Sequence, residues 1–98
     1  MTDVYFSPRA QADIRLIAER LAEESELKSS IFRSRLADAV RSLSIFPERG
    51  RKRDDLSPGY RSIPVDPVVI VYRIAADAVE VVRVIDWRRD FGTIFGGD

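Results

Sequence analysis

VVIVYRI (residues 68–74) and VEVVRVID (residues 79–86) are the two stretches that decide the fold. Both are rich in β-branched residues, which is typical of strands. The segment between them, residues 75–78, predicts a hairpin with a four-residue loop. A register that places Ile74 opposite Val79 also gives the cross-strand pairs Arg73–Glu80 and Ile70–Arg83.

The residues before this hairpin predict one strand, two helices and a further strand. Val4 to Phe6 indicates a short strand, and Ser7-Pro8 is a typical helix start. Ser25 is a suitable cap for a second helix, which Pro47 ends, so the two helices should form an antiparallel hairpin. The apolar stripes of these helices are Ala10, Ile14, Ile17 and Leu21, and then Phe32, Leu36, Ala39, Val40 and Leu43.

Residues 47–60 contain proline, glycine and clustered cations, and they predict a loop. Arg61 to Val65 follows as a strand, in which Pro64 indicates an edge or a bend. The predicted fold class is therefore α+β, with the order β-α-α-β-β-β. A helix hairpin packs on an antiparallel sheet, and a short C-terminal tail follows. The 98 residues are enough for one domain, which we expect to span residues 1–98.

Composition excludes several kinds of site. The chain has no cysteine and no histidine, so thiolate catalysis, a Ser-His-Asp triad and the commonest metal ligands are excluded. We expect no metal and no cofactor.

No apolar run is long enough to span a membrane, and the first residues do not form a secretory signal, so a cytoplasmic protein is expected. The net charge is zero, yet Lys28 and Lys52 are the only lysines among 16 cations. This bias towards arginine favours polar contacts with a partner.

Short segments in a fixed order resemble the ParE-type toxins of bacterial toxin–antitoxin pairs, within the RelE/ParE superfamily. They are Ser7-Pro8-Arg9-Ala10 with Asp13-Ile14, Pro47-Glu48-Arg49-Gly50, Gly59-Tyr60-Arg61, Val69-Ile70-Val71-Tyr72-Arg73 and Val81-Val82-Arg83-Val84-Ile85. Together they extend over nearly the whole chain, and the ordered set is more specific than any one segment. Many relatives carry a histidine just after the last strand, where this chain has Asp86.

The resemblance implies a toxin that a ParD-like antitoxin holds inactive. ParE members inhibit DNA gyrase, whereas RelE members cleave mRNA in the ribosome, and the shared fold does not choose between these activities. If the chain is a ribonuclease, the resemblance points to Lys52, Arg61, Arg83 and Arg89 as its catalytic residues. Cleavage also needs groups that transfer protons. The tail has no tyrosine, and Lys52 is a poor base near neutral pH. We therefore favour inhibition by binding, without catalysis.

The tail is the predicted target-binding segment because it combines aromatic and arginine residues, which are enriched at binding hot spots. Its residues are Trp87, Arg88, Arg89, Phe91 and Phe95. Packing of Trp87 or the two phenylalanines onto the body is the structural alternative. The expected partners are therefore the antitoxin, in a hetero-oligomeric complex, and DNA gyrase as the target. We expect no contact with a membrane and no sequence-specific binding of nucleic acid. A non-toxic binding module with this fold is a third hypothesis.

The antitoxin is expected to lie in an apolar groove between the helix hairpin and the sheet. The predicted antitoxin contacts are Leu16, Ile31, Arg61 and Arg83. Leu16 and Ile31 lie off the main apolar stripes, so peripheral core is their structural alternative. For Arg83 the alternative is a side chain that crosses apolar surface to pair with a carboxylate.

Overall fold

The computed structural model describes residues 1–86 and contains two helices and five strands. They are β1 (Asp3–Phe6), α1 (Pro8–Glu24), α2 (Glu26–Ile45), β2 (Arg51–Lys52), β3 (Arg61–Val65), β4 (Val68–Ala75) and β5 (Ala78–Ile85). The α+β class and the helix hairpin on a sheet are confirmed. A two-residue strand, β2, lies inside the segment that was predicted as a loop.

Ser25 joins the two helices without any further linker. Its backbone N–H donates to the Leu21 carbonyl at 2.8 Å and closes α1, while its Oγ accepts from the Lys28 N–H at 3.3 Å and opens α2. Ser7 caps α1 in the same way, because its Oγ accepts from the Ala10 N–H at 3.0 Å. Because a single residue connects them, the two helices pack side by side in antiparallel directions, as the capping residues predicted.

The sheet has the strand order β1-β5-β4-β3-β2. Sequential neighbours among β2 to β5 pair antiparallel, but β1 pairs with β5 in parallel, from Asp3 opposite Ala78 to Phe6 opposite Val81. The sheet is therefore mixed, and the prediction of an antiparallel sheet is wrong at β1. The reason is that hairpins determine only the directions of strands that follow each other in the chain, and β1 is not joined to β5.

The β4–β5 hairpin turns more tightly than predicted. Ala75 pairs with Ala78, and Ala76 and Asp77 form a two-residue turn with φ values of 51° and 64°. The Arg73–Glu80 pair is confirmed, with Arg73 Nε 2.7 Å from Glu80 Oε1. The predicted Ile70–Arg83 pair is wrong.

A register shift next to Val71 and Tyr72 accounts for that error. It places Val84 opposite Ile70 and Arg83 opposite Val71. Because one extra residue in β5 changes every later pair, the register beyond it did not follow from the turn.

The core lies between the helices and one face of the sheet. Its buried members include Ala10, Ile17, Phe32, Leu36, Ala39, Leu43, Ile63, Val68, Ile70, Tyr72, Val79, Val81 and Val84. Ser29 is also buried, and its Oγ donates to the Ala18 carbonyl of α1 at 3.0 Å. A small polar residue at this point links the two helices directly and leaves no buried hydroxyl without a partner.

Candidate functional site

Where β1 ends, the outer edge of β5 is covered by Ser7, the capping residue of α1, and by Asp13 of α1. The Ser7 N–H donates to the Val81 carbonyl at 3.0 Å, and the Ser7 hydroxyl donates to the Val82 carbonyl at 2.9 Å. Further along, the Asp13 carboxylate accepts from the Val84 N–H at 3.0 Å. These groups of Ser7 and Asp13 take the hydrogen-bonding positions that a longer β1 would fill.

Asp13 is also the partner of Arg83. Its carboxylate accepts from Arg83 Nε at 2.8 Å and from Nη2 at 3.0 Å, and the exposed fractions of the two side chains are 12% and 13%. This bidentate geometry joins α1 to β5 through the Nε/Nη2 edge of the guanidinium, one of the two edges that suit a carboxylate. Arg83 therefore has the carboxylate partner that its structural alternative requires.

Tyr72 and Arg61 hold the turn at residues 47–50, which is called the clamped turn below. The Tyr72 hydroxyl accepts from the Gly50 N–H and donates to the Pro47 carbonyl, both at 2.8 Å. Arg61 Nη1 donates to the Glu48 carbonyl at 3.0 Å and to the Gly50 carbonyl at 2.9 Å. Burial raises the pKa of Tyr72, against the opposing effect of the Gly50 hydrogen bond. The phenol is thus neutral near pH 7.

The residues considered for a ribonuclease do not converge on one point. Lys52 is exposed in β2 and lies opposite Arg61 in β3. Arg83 lies on β5, which is separated from β2 by β4 and β3. Three strand spacings correspond to roughly 14 Å across the sheet. Arg89 lies outside the described residues.

A pocket of about 430 Å³ lies between the helix hairpin, the β3–β4 turn and the end of β5. Its apolar lining residues are Ile17, Leu21, Ile31, Phe32 and Pro67. Ile31, which is 40% exposed, is therefore part of the predicted groove region. Leu16 is 54% exposed and does not line the pocket.

The charged residues around this pocket are paired with each other. Lys28 Nζ lies 2.9 Å from Glu24 Oε1, and Arg35 Nη1 lies 3.5 Å from Asp66 Oδ2. Asp86, at the position where many relatives carry histidine, is buried, and its Oδ2 lies 3.8 Å from Arg20 Nη1. The pocket thus combines an apolar floor with a rim whose charges balance.

The predicted target-binding residues Trp87, Arg88, Arg89, Phe91 and Phe95 lie outside the described residues. In the described part, residues 1–86, no three histidine, cysteine or acidic side chains are grouped to hold a metal ion. Neither helix within these residues has the length and apolar character that crossing a membrane requires.

Sequence reasoning missed Asp13 and Tyr72, which hold α1 and the clamped turn. Asp13 belongs to the opening segment that carries the family resemblance, but its pairing with Arg83 could not be read from local pattern, because the two residues are 70 positions apart. For Tyr72 the signal was present but not used. A tyrosine that follows four apolar strand residues needs a partner for its hydroxyl if it is buried, and the Pro-x-x-Gly segment offers free backbone groups.

Three comparisons with known proteins agree with this fold. Residues 4–91 match the family described as the ParE toxin of the type II toxin–antitoxin system parDE. The chain is 35% identical over 63 residues to Toxin ParE3 of Caulobacter vibrioides, an alignment that covers 64% of this chain and 63% of that protein's length. It is 33% identical over 84 residues to Toxin RelE2 of the same organism, covering 86% of this chain and 93% of RelE2.

Solved structures show that the fold is shared with known proteins. The chromosomal ParDE TA system from P. aeruginosa matches with a TM-score of 0.72 at 18% identity, over 86% of this chain and 94% of that chain. The E. coli DinJ–YafQ complex matches with a TM-score of 0.57 at 17% identity, over 94% of this chain and 100% of that one. Since the family match extends over nearly the whole chain, this protein belongs to the ParE toxin family of type II toxin–antitoxin systems.

Proposed function

We propose that this toxin inhibits DNA gyrase by binding to it and that a ParD-like antitoxin neutralises it in the cytoplasm. The observation that carries this proposal is the internal use of the cations that a nuclease would need. Arg83 is paired with Asp13, and Arg61 Nη1 donates to two backbone carbonyls. Inhibition by binding needs a complementary surface and no group that transfers protons.

Catalysis of mRNA cleavage needs a base, an acid and stabilisation of the phosphorane charge. Within the described residues, the Tyr72 hydroxyl uses both of its hydrogen bonds on the clamped turn, and burial raises its pKa. Lys52 remains as the base, and an exposed lysine is protonated near pH 7. These properties favour binding over catalysis.

A RelE-like ribosome-dependent endoribonuclease is the second candidate. One observation favours it, namely the 33% identity with Toxin RelE2 over 93% of that protein's length. Lys52 and Arg61, which face each other across β2 and β3, would then contribute to the site. Arg83 and Arg89 complete the set of residues to test. A binding module that has lost its toxicity is the third candidate, and growth arrest on induction would contradict it.

For the antitoxin, the pocket beside Ile31 is the proposed site. Its apolar floor suits an anchor side chain of a helix or an extended segment, and its balanced rim favours an uncharged anchor. Leu16 is proposed as a peripheral contact because it is exposed outside the pocket. Arg61 and Arg83 are weaker candidates, since their hydrogen bonds are already made within the toxin.

The first test is the order in which DNA, RNA and protein synthesis fall after induction of the toxin without its antitoxin. We expect DNA synthesis to fall first, and purified toxin to inhibit supercoiling by purified gyrase. An early fall in protein synthesis with cleavage of ribosome-bound mRNA would establish the second candidate instead. Full supercoiling at excess toxin would exclude gyrase as the target.

The target-binding role of residues 87–95 is tested in the same assay. We expect Trp87→Ala/Arg89→Ala to weaken inhibition at least about tenfold, because Trp and Arg are the residues most often found at hot spots. Leu27→Ala/Arg33→Ala is the matched control, since it removes one apolar side chain and one arginine from exposed positions on α2. Equal loss in both variants would argue against a specific role for the tail.

A further inference from the structure

The segment around the clamped turn exposes apolar and cationic side chains together. Ile45 and Phe46, which are consecutive at the end of α2, are 56% and 65% exposed. Arg49, Arg51 and Lys52 follow within six residues and are also exposed. These five residues are called the turn surface below. Exposed large apolar side chains next to arginine are typical of protein-binding surfaces.

Within residues 1–86, nine of the 14 cations have a side-chain hydrogen bond or a salt bridge, and two of the remaining five, Arg51 and Lys52, lie on the turn surface. Carboxylates pair with Arg20, Lys28, Arg35, Arg41, Arg53, Arg73 and Arg83. Within residues 1–86, Arg51 and Lys52 form no salt bridge and no side-chain hydrogen bond. The Arg53 hydrogen bond, with a smaller contribution from the Arg51 charge, lowers the pKa of Asp55, and that carboxylate is already bound by Arg53. Arg51 and Lys52 are thus available to carboxylates of another molecule.

The turn surface is also rigidly supported. Tyr72 and Arg61 bind the carbonyls of Pro47, Glu48 and Gly50, and the Arg53 N–H donates to the Tyr60 carbonyl at 2.7 Å. A phenylalanine at position 72 would fill the core equally well, so the hydroxyl serves the conformation of the turn. Holding an exposed segment in one conformation lowers the entropic cost of binding a partner.

The position of this surface separates it from the proposed antitoxin site. Phe32 lines the pocket, and Ile45 lies 13 residues further along α2, which corresponds to about 20 Å at the rise of an α-helix. An antitoxin bound in the pocket would therefore leave the C-terminal end of α2 exposed and available to a different protein. The two residues of β2 form a short cationic edge, which disfavours the addition of another strand. A partner at the turn surface would accordingly contact its side chains and not extend the sheet.

We infer that the turn surface is a second contact site for the target, and that it receives an acidic protein surface carrying an apolar cleft for Phe46. This inference rests on the proposed function, because gyrase is the target used to test it. The exposed apolar pair favours a protein surface over the phosphates of nucleic acid, which would need cations alone. Arg51 and Lys52 provide the charge complementarity, and Phe46 provides the anchor.

The test measures the affinity of the full-length toxin for purified gyrase, with and without DNA. We expect Arg51→Glu/Lys52→Glu to raise the Kd at least about tenfold, because it places like charges at the contact. Phe46→Ser should raise it by a similar factor. The matched controls are Arg15→Glu/Arg33→Glu and Leu27→Ser, which make the same changes at exposed helix positions and should leave the Kd within about twofold.

The outcomes separate this inference from the proposed function. If the wild-type toxin does not bind gyrase, the proposed function fails and the inference fails with it. If the wild type binds and the turn-surface variants bind equally well, the inference alone is overturned. A loss that appears only with DNA present would assign Arg51 and Lys52 to phosphates and also overturn it. If the charge reversal unfolds the protein, the same measurement is made on Arg51→Gln/Lys52→Gln, which removes the two positive charges without adding an acidic side chain.

Discussion

At Gly50 the backbone passes so close to Tyr72 that a Cβ atom would lie 2.5 Å from the hydroxyl oxygen and 2.7 Å from ring atom Cε1. Only a hydrogen fits at this position. The glycine of the Pro-x-x-Gly segment is therefore explained by a neighbouring side chain and not by its backbone angles. The sequence predicted a turn here, but the contact with a strand 22 residues later could not be read from local pattern.

Gly50→Ala is expected to destabilise the protein by about 1–3 kcal/mol, the usual range for overpacking a buried site. Tyr72→Phe should not relieve the clash, because ring atoms Cε1 and Cζ would still lie 2.7 and 2.9 Å from the new methyl group. Urea unfolding of the single and double variants measures both effects. Gly59→Asn is the control, since nothing lies within 4 Å of a Cβ there and asparagine tolerates the φ of 84°. An unchanged free energy of unfolding in Gly50→Ala would contradict the clamped turn.

Tyr72 also predicts a loss of stability in alkali. Burial raises its pKa above the ordinary value of 10.0, so the folded protein keeps the phenolic proton at a pH where the unfolded chain releases it. This contribution is complete below about pH 10 and is lost as the pH rises through the folded pKa. The free energy of unfolding should therefore fall more steeply above pH 10 in the wild type than in Tyr72→Phe. Parallel pH profiles for the two proteins would show that the phenol is not buried in this way.

At the scale of elements, capping residues and apolar stripes were sufficient to predict both helices, and β-branched runs between turn residues were sufficient to predict the strands from β3 to β5. Their bounds differ by a residue or two from the structure. The parallel pairing of β1 with β5 was missed because a four-residue strand carries no information about its neighbour. The two-residue turn was missed because Ala76 is not a residue that usually adopts a positive φ, and the register shift at Val71 and Tyr72 was missed because the run of β-branched residues continues through it.

The contact between α1 and the β5 edge gives a prediction for Asp13. Asp13→Ala leaves the Arg83 charge and the Val84 N–H without their partner, so we expect a loss of about 3–5 kcal/mol. Asp13→Ala/Arg83→Met should recover part of that loss, because the buried charge is then removed as well. Thermal and urea unfolding measure both variants. Glu19→Ala, an exposed change on the same helix, should stay within about 0.5 kcal/mol.

At the scale of the whole molecule, the net charge of zero comes from 16 basic and 16 acidic residues, and the fold brings several of them together in pairs. Seven of the 14 cations of residues 1–86 pair with carboxylates of the same chain, so their charge is balanced locally. The sequence predicted polar contacts to a partner from this bias. In the structure many of the arginines instead join elements of the toxin itself, as Arg83 joins β5 to α1 and Arg35 joins α2 to the β3–β4 turn.

Two proposed partners at separate sites predict that their binding can be lost independently. Ile31→Asp places a charge on the apolar floor of the pocket and should weaken antitoxin binding at least about tenfold while gyrase inhibition persists. Trp87→Ala/Arg89→Ala should have the opposite effect. Copurification with the antitoxin and a supercoiling assay on the same preparations measure the two activities. Loss of both activities in either variant would contradict separate sites.

The parallel pair of β1 and β5 has a consequence for the newly made chain. Residues 3–6 leave the ribosome early, but their strand neighbour spans residues 78–85 and emerges only after both helices and the other strands. The helix hairpin can form while translation continues, whereas the sheet is completed last, through contacts that are distant in sequence. We therefore expect the nascent toxin to remain incompletely folded until nearly all of its described residues have been synthesised, and the pocket, which includes Pro67 and Asp86, to form only then.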